Sequence, residues 1–233
     1  MRIIPATLAA FLTLSPLTAD ADDHPVVVEL YTSQGCSACP PADEMMAELA
    51  MRNDVIALSL HVDYWDYLGW ADTFANPDFT ARQQAYGQVA GSTVIYTPQI
   101  VVNGSDHVVG FRPMDVAELI MQHRMSRAMV DIAVTRIGDD FVVDASAMMP
   151  PPLPPMVIQV VGYTPVAEVL IERGENAGRV ADYHNVVTSW QVVAQWDGIA
   201  PFQGRVHPQG DTPMVVIVQH ADHGAILAAA RLD

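Results

Sequence analysis

The chain has 233 residues, of which 51% are hydrophobic, and a formal net charge of −16 at neutral pH. All 11 of its basic residues are arginines. Such an acidic surface repels phosphate backbones, which argues against a nucleic-acid partner. The apolar content is sufficient for packed cores, and the length predicts one or two domains.

The N-terminal segment has the organisation of a secretory signal peptide. Arg2 precedes the apolar run Ile3–Leu14, and the small-residue sequence Ala19-Asp20-Ala21 follows as an A-x-A cleavage site. The run is shorter than the roughly 20 residues that a membrane-spanning helix needs. We therefore predict a signal peptide at residues 1–21 and a periplasmic or secreted protein without stable membrane insertion. A disulfide can persist in such an oxidising compartment.

From residue 25 to residue 128, strand-like and helix-like segments alternate, which is typical of an α/β unit with a partly parallel sheet. Predicted strands span Val26–Tyr31, Val55–Val62, Ile100–Val102 and His107–Val109. The last two flank Asn103-Gly104, a pair that favours a hairpin turn. Predicted helices span Asp43–Met51, Asp78–Val89 and Pro113–Met125.

Residues 129–233 are richer in strand-like segments. Predicted strands span Asp131–Ile137, Phe141–Ala147, Met156–Tyr163, Val166–Glu172, Val186–Trp196, Met214–Gln219 and Ala225–Leu232. Several short strands with frequent turn residues favour a β-rich, sandwich-like domain. The sequence thus predicts an α/β domain at residues 25–128 and a β-rich C-terminal domain at residues 129–233.

Cys36 and Cys39 form a C-x-x-C motif between the first predicted strand and the first predicted helix. At a helix N-terminus, unpaired N–H groups and the helix dipole stabilise a thiolate. Cys36 is then the attacking sulfur, and Cys39 resolves the mixed disulfide. The same spacing suits a structural or sensory disulfide, or a metal site. Structural zinc usually needs four ligands, however, and the sequence has no second C-x-x-C.

Pro40 and Pro41 follow the motif directly. Because a residue before proline avoids the helical conformation, we expect Cys39 to be the N-cap and the helix to begin at Pro40. Cys36 would then lie about one turn outside the strongest field of the dipole.

The order strand, C-x-x-C, helix, strand, helix, Thr97-Pro98, strand, Asn103-Gly104 turn, strand, Gly110, helix resembles the thioredoxin fold. YTSQGCSAC is similar to the glutaredoxin active-site segment, and IYTPQIVVNGSDHVVGF is similar to the thioredoxin segment that carries the cis-proline. The segments ELYTSQGCSACPPAD, HVDYWDYLGW, YTPQIVVNG and RGENAGR together resemble a secreted bacterial thioredoxin-like family, domain of unknown function 1223.

This resemblance implies roles for particular residues. Cys36 corresponds to the nucleophilic cysteine and Cys39 to the resolving one, while Pro98 corresponds to the cis-proline that faces the disulfide. Thr97 would offer its backbone to a substrate peptide. Thioredoxins have a buried aspartate six residues before the first cysteine, whereas this chain has Leu30 there, so the same proton carrier is missing.

His61 and Asp63 follow the second predicted strand, at an edge of the sheet where binding crevices lie. If the strand continues, they share one face, and one of them is a candidate proton carrier for Cys39. A hydrogen-bonded structural pair is the alternative. The aromatic segment Tyr64–Trp70 forms either a lid for an apolar substrate or local packing. Arg173–Arg179 forms either a contact with the first domain or a partner, or a turn held by an Arg–Glu pair.

We therefore expect an exported thiol-disulfide oxidoreductase that acts on protein or small-molecule thiols and disulfides, without a cofactor or a bound metal. The predicted catalytic residues are Cys36, Cys39, Thr97, Pro98, His61 and Asp63. The alternative is a copper-binding or partner-binding protein with a structural disulfide, since two thiolates and an imidazole such as that of His61 suit Cu(I). The sequence does not indicate an oligomeric state.

Overall fold

The computed structural model describes residues 24–208 and 211–232, and the predicted signal peptide at residues 1–21 lies outside them. The helices are α1 (Pro40–Ala50), α2 (Pro77–Val89) and α3 (Pro113–Arg124), with a short 3-10 helix at Asp66–Leu68. The strands are β1 (Val26–Thr32), β2 (Val55–His61), β3 (Gln99–Val102), β4 (Asp106–Val109), β5 (Val130–Ile137), β6 (Asp140–Ala147), β7 (Met156–Leu170), β8 (Val180–Trp196), β9 (Phe202–Val206), β10 (Met214–His220) and β11 (Ile226–Leu232). No helix within these residues is both long and apolar enough to cross a membrane.

Eight strands form one mixed sheet in the order β11-β10-β7-β8-β2-β1-β3-β4. Strand β1 pairs in parallel with β2 and antiparallel with β3. Because successive side chains of a strand point to opposite faces, Val28 and Leu30 pack with α1 and α3, whereas Val27 and Tyr31 pack on the side of α2. The predicted mixed α/β architecture is confirmed at this level.

The second sheet contains β5, β6 and β9 in that order, all antiparallel. Its buried side chains, among them Phe141 and Val143, share a core with Met156 of β7 and Val216 of β10. Two sheets therefore pack face to face in this part of the chain, in the manner of a sandwich. Strand β9 was not among the predicted strands.

The strands β7, β8, β10 and β11 continue the same large sheet as the first half, which the sequence did not indicate. The ladder between β2 and β8 has one registered pair, Ser59 and Val186. Side chains add to it, since Ser59 Oγ donates to the His184 carbonyl at 2.8 Å and Asn185 Nδ2 donates to the Ala57 carbonyl at 2.9 Å. The division into two domains at residue 128 stays a prediction.

Strand β7 joins two predicted strands into one, and Pro165 lies inside it. Strand β10 pairs with Met156–Gly162 only, so Pro165 lies beyond the end of that ladder. A proline has no N–H to donate and is tolerated where a strand has an open edge. The last part of β7 and the first part of β8 therefore form a long hairpin arm, joined by residues 171–179.

The large sheet curls so that its second half meets the β3–β4 turn. Ile226, the first residue of β11, donates its backbone N–H to the Asn103 carbonyl at 2.8 Å. Gly104 in that turn has a φ of +69°, and a Cβ there would lie 2.6 Å from the Gly224 carbonyl oxygen. Only glycine satisfies both the left-handed conformation and this close approach.

A buried ion pair of the first half of the chain contacts side chains of the second half. Glu29 of β1 accepts two hydrogen bonds from Arg82 of α2, at 2.8 and 2.9 Å, and both side chains are almost fully buried. Arg82 also donates to Gln219 Oε1 of β10 at 3.1 Å, and its guanidinium lies 3.7 Å from the ring centroid of Trp190 in β8. Tyr86 donates to Glu29 at 2.7 Å. The two charges thus compensate each other within the first half, and the second half contributes an amide oxygen and an aromatic ring to the burial of Arg82.

Replacing Arg82 by alanine tests this arrangement. Because the change leaves the Glu29 carboxylate buried without its cation, Arg82→Ala should lower the free energy of unfolding by about 3–5 kcal/mol. The measurement is urea unfolding followed by tryptophan fluorescence. Arg112→Ala is the matched control, since Arg112 pairs with Asp115 on the exposed surface, where ion pairs contribute little. Equal effects of the two substitutions would contradict the assigned importance of the buried pair.

Candidate active site

A disulfide joins Cys36 and Cys39 in the loop between β1 and α1. Cys36 is 3% exposed and Cys39 is fully buried, while the intervening Ser37 and Ala38 face solvent. Two consecutive turns shape the loop, since the Cys36 N–H donates to the Ser33 carbonyl and the Cys39 N–H donates to the Cys36 carbonyl. The sulfur pair therefore lies beneath the exposed tip of its own loop.

Helix α1 begins at Pro40 with Cys39 as its N-cap, as the two prolines predicted. The conformation of Cys39 differs from the expectation, because its φ of −79° and ψ of −33° are helical. Its carbonyl already accepts the first hydrogen bonds of the helix, from Ala42 at 2.8 Å and Asp43 at 3.1 Å. These bonds and the preceding turn outweigh the usual preference of a residue before proline. Cys36 lies outside the helix.

The Thr97-Pro98 peptide is cis, and the sheet places it at the same end as the disulfide. Gln99 pairs with Tyr31 near the end of β1, so Thr97 and Pro98 lie beside the residues that lead into the cysteine loop. Trp65 contacts both the cis peptide and the cysteine loop. Its Nε1 donates to Thr97 Oγ1 at 2.7 Å. A Cβ on Gly35 would lie 3.2 Å from the Trp65 Cβ.

The loop between β7 and β8 reaches the disulfide from the second half of the chain. This 171–179 turn is closed by backbone bonds from Gly178 to Ile171 at 2.7 Å and from Ile171 to Arg179 at 2.9 Å. Asn176 Nδ2 donates to the carbonyl oxygens of Gln34 and Cys36, each at 2.9 Å. The contact with the first half, one of the two interpretations of the sequence, is therefore present.

The expected Arg–Glu pair involves a partner outside the turn, since Arg179 contacts Glu44 of α1 at 3.2 Å. The turn also rests on the aromatic segment. A Cβ on Gly174 would lie 3.4 Å from the Trp70 Cβ, and Trp70 Nε1 donates to Gln34 Oε1 at 2.7 Å. Trp70 thus supports both the turn and the cysteine loop by local packing, whereas Tyr67 is 79% exposed.

His61 is fully buried at the end of β2, and its partner is an aspartate that the sequence analysis missed. His61 Nδ1 lies 2.7 Å from Asp72 Oδ2, which also accepts the Gln34 N–H at 2.7 Å. The imidazole packs edge-on against Phe74 and Tyr183. Its Nε2 has no hydrogen-bond partner among the described residues. The His61–Asp72 pair therefore supports the backbone directly before the cysteines.

Asp63 is not brought to His61. Strand β2 ends at His61, so the two-residue spacing no longer places both side chains on one face. Asp63 Oδ1 instead accepts from Thr80 Oγ1 of α2 at 2.6 Å. His61 and Asp63 are both hydrogen-bonded, but not to each other. His61 pairs with Asp72, and Asp63 pairs with Thr80. The proposed proton-carrier role of either residue stays a prediction.

Asp43 is a buried acid one helical turn after Cys39, and the sequence analysis did not select it. Its backbone N–H bonds to the Cys39 carbonyl, and its Oδ1 accepts from Thr32 Oγ1 at 2.7 Å. Burial raises the pKa of Asp43 to about 7, opposed by the Thr32 hydrogen bond and by the nearby His61. An acid in the first turn of a helix is usually explained by the dipole, so the sequence carries no distinct signal for this residue.

Asp43 also lines a cleft of about 300 Å³ between α1, the 171–179 turn and the start of β8. Pro40, Asn176, Arg179 and Tyr183 contribute to the same cleft. Asp43 is therefore a buried acid in the wall of a cleft. Among the described residues, no group of three or more His, Cys, Asp or Glu side chains is placed to hold a metal ion.

A comparison with known protein families identifies the family of this chain. The family model described as "Protein of unknown function (DUF1223)" matches residues 27–219. The chain belongs to this family. The crystal structure of protein AGR_C_4864 from Agrobacterium tumefaciens is similar, with 31% identity and a TM-score of 0.76 over 89% of this chain and 93% of that chain.

HBP35 of Porphyromonas gingivalis is similar in fold, with a TM-score of 0.66 and 16% identity over 90% of this chain and 74% of that chain. A search among curated proteins found no match.

The buried acid gives this DUF1223 protein a characteristic pH dependence. The pKa of Asp43 is about 7 in the folded chain against an ordinary value of 3.8, so the folded state binds this proton more tightly than the unfolded state. The contribution of Asp43 to the free energy of unfolding therefore falls as pH rises from about 4 to about 7 and stays low above that.

Asp43→Asn keeps the acceptor for Thr32 and removes the titration. Between pH 4 and pH 8, the free energy of unfolding of the wild type should fall by on the order of a few kcal/mol relative to that of Asp43→Asn. Urea unfolding of the oxidised proteins measures this difference. The control is Asp78→Asn, an exposed aspartate in the first turn of α2. Parallel pH profiles for the wild type and Asp43→Asn would refute the raised pKa.

Proposed function

We propose that this protein is an exported thiol-disulfide oxidoreductase of thioredoxin-like type, which exchanges its disulfide with thiols and disulfides of proteins or small molecules. The observation that carries the proposal is the disulfide between Cys36 and Cys39 at the N-terminus of α1. A disulfide that closes a four-residue loop restricts the unfolded chain only slightly. In the chain-entropy model it stabilises the folded state by about 2 kcal/mol, against about 4.7 kcal/mol for a 100-residue loop. Stapling is therefore a weak reason for this bond.

The topology of the first half supports the thioredoxin-like type. Its elements follow the order β1, α1, β2, α2, β3, β4, α3, and its strands lie in the order β2-β1-β3-β4. The C-x-x-C segment precedes α1, and the cis Thr97-Pro98 peptide precedes β3 at the same end of the sheet. These are the positions that the sequence resemblance implies for the active-site segments.

The proposed reaction begins with the reduced protein. The Cys36 thiolate attacks one sulfur of a substrate disulfide, a mixed disulfide forms, and the other substrate sulfur leaves as a thiolate. Cys39 then gives its proton to Asp43 and attacks Cys36 Sγ, which restores the Cys36–Cys39 bond and expels the second substrate thiolate. The two substrate thiolates take up protons from water and from Asp43. The substrate is reduced by two electrons and the protein is oxidised, and the reverse sequence oxidises a substrate dithiol.

Asp43 fits the proton-accepting role better than Asp63. Cys39 is fully buried, and a buried thiolate is costly unless its proton has a nearby acceptor. Asp43 lies one turn away on the same helix and has a pKa of about 7, so it both accepts and releases protons near neutral pH. This carboxyl also lies in the wall of the cleft beside α1. The acid therefore comes from α1, whereas Leu30 occupies the position of the thioredoxin aspartate.

Single-cysteine variants test the proposed function. Cys39→Ser should accumulate a mixed disulfide with oxidised glutathione or with a peptide disulfide, because the attacking sulfur remains and the resolving one is absent. Cys36→Ser should accumulate less, because Cys39 is fully buried whereas Cys36 keeps a small exposed fraction of 3%. Intact-mass spectrometry measures both adducts. Absence of adducts, together with a reduction potential below about −300 mV, would instead establish a structural disulfide. A stoichiometric Cu(I) complex that is lost in His61→Ala would support the copper-binding alternative.

Asp43→Asn separates the two chemical steps. Formation of the mixed disulfide involves Cys36 alone and should keep its rate, whereas resolution by Cys39 should slow by roughly 10²-fold at pH 7, the lower range for loss of a general base. Rapid acid quenching and mass spectrometry resolve the two steps. In the wild type, the rate of resolution should rise with pH around pH 7 as Asp43 ionises, and this rise should be absent in Asp43→Asn. Equal slowing of both steps would show a general disturbance of the site.

A further inference from the structure

Access to the sulfur atoms is restricted in the folded protein. Thiol-disulfide exchange requires the attacking sulfur to reach the disulfide, yet Cys36 is only 3% exposed and Cys39 is fully buried. A small thiol needs a narrow opening, whereas a polypeptide thiol brings its flanking backbone to the site. The question is which part of the chain restricts this approach.

The 171–179 turn lies directly against the cysteine loop. Both hydrogen bonds of the Asn176 amide group go to this loop, to the carbonyls of Gln34 and Cys36 on either side of Gly35. Asn176 therefore occupies one of the two acceptor positions of each of these carbonyls. Trp65 also packs closely against Gly35 and bonds to Thr97. The cysteine loop thus contacts both Asn176 and Trp65.

Asn176 makes the strongest polar contacts between the turn and the first half. The other polar link, between Arg179 and Glu44, is a single contact between side chains that are 46% and 76% exposed, and ion pairs of this kind contribute little. Arg173 and Glu175 face solvent. Breaking the two Asn176 bonds is therefore the main polar cost of moving the turn away from Cys36.

A space suited to a small molecule remains beside the closed turn. The cleft of about 300 Å³ is lined by Asn176, Pro40 and Asp43 and by neither cysteine, and it lies near the disulfide because Pro40 directly follows Cys39 in the chain. Its volume is at the lower end for small-molecule sites. It is too small for a cysteine together with the flanking residues of a polypeptide chain.

We infer that Asn176 holds the 171–179 turn closed over the redox centre, so that the disulfide exchanges with small-molecule thiols and disulfides and excludes polypeptides. This inference rests on the proposed oxidoreductase function and names its substrate class. Asn176 is a specificity-determining residue, acting through the position of the turn and taking no part in electron or proton transfer.

The test compares the rates at which two thiols reduce the oxidised protein. One is reduced glutathione, and the other is a reduced, unfolded polypeptide with one cysteine. Both rates are expressed per concentration of thiolate. The wild type should react with glutathione about 10-fold faster or more. The polypeptide reacts only after the two Asn176 hydrogen bonds have broken, and breaking them lowers the fraction of open protein by about tenfold. Asn176→Ala should raise the polypeptide rate by a similar factor and change the glutathione rate by less than about 3-fold.

Two further variants make the result specific. Asn176→Asp places a carboxylate against the two carbonyls and should open the turn further than alanine does. Glu175→Ala is the matched control, since Glu175 is an exposed neighbour in the same turn, and it should leave both rates unchanged. The wild-type comparison needs no substitution and is therefore decisive even where a variant does not fold.

The outcomes distinguish this inference from the proposed function. Equal rates with both thiols in the wild type, or an unchanged rate ratio in Asn176→Ala, overturn the role of the turn while leaving the oxidoreductase proposal intact. Failure of every thiol to reduce the disulfide in all variants overturns the oxidoreductase proposal itself. A polypeptide rate that rises selectively in both Asn176 variants supports the inference.

Discussion

The buried ion pair between Glu29 and Arg82 of the first half is the charge centre against which the second half packs. A buried charge is tolerated only when its partners are all in place, and here Gln219 and Trp190 come from the second half. Separating the halves would remove the Gln219 acceptor and the Trp190 ring from Arg82, although its bonds to Glu29 would remain. These contacts join the two halves in addition to the single registered pair between β2 and β8.

The position of the second half in turn determines the candidate site. Because β8 lies beside β2, its first residues pass the end of α1, and Tyr183 packs against His61 there. The same geometry delivers the 171–179 turn to the cysteine loop, where Asn176 binds the Cys36 carbonyl. The site is therefore composite. Its cysteines and Asp43 come from the first half, and Asn176, Arg179 and Tyr183 beside them come from the second.

Local patterns in the sequence predict most elements of the fold. Proline at the first helical position locates the start of α1, and Asn103-Gly104 locates the turn between β3 and β4. Strand neighbours are not encoded locally, so the continuation of the sheet from β2 into β8 was missed. The contacts of Asn176 span 140 and 142 positions, and Asp72 pairs with His61 only after the intervening loop folds back. Asp43 resembles any acid that begins a helix.

Charge and redox state are coupled at this site by burial. Asp43, His61 and Asp72 lie together beneath the cysteine loop, and the nearby Asp72 helps to raise the pKa of Asp43 while His61 lowers it. A Cys39 thiolate formed beside an ionised Asp43 would add a second negative charge in a low-dielectric region, which is unfavourable. Transfer of the cysteine proton to Asp43 keeps the total charge constant. In the proposed reaction, the proton and the sulfur bond would therefore move together, which would give the acid on α1 a chemical reason for its burial.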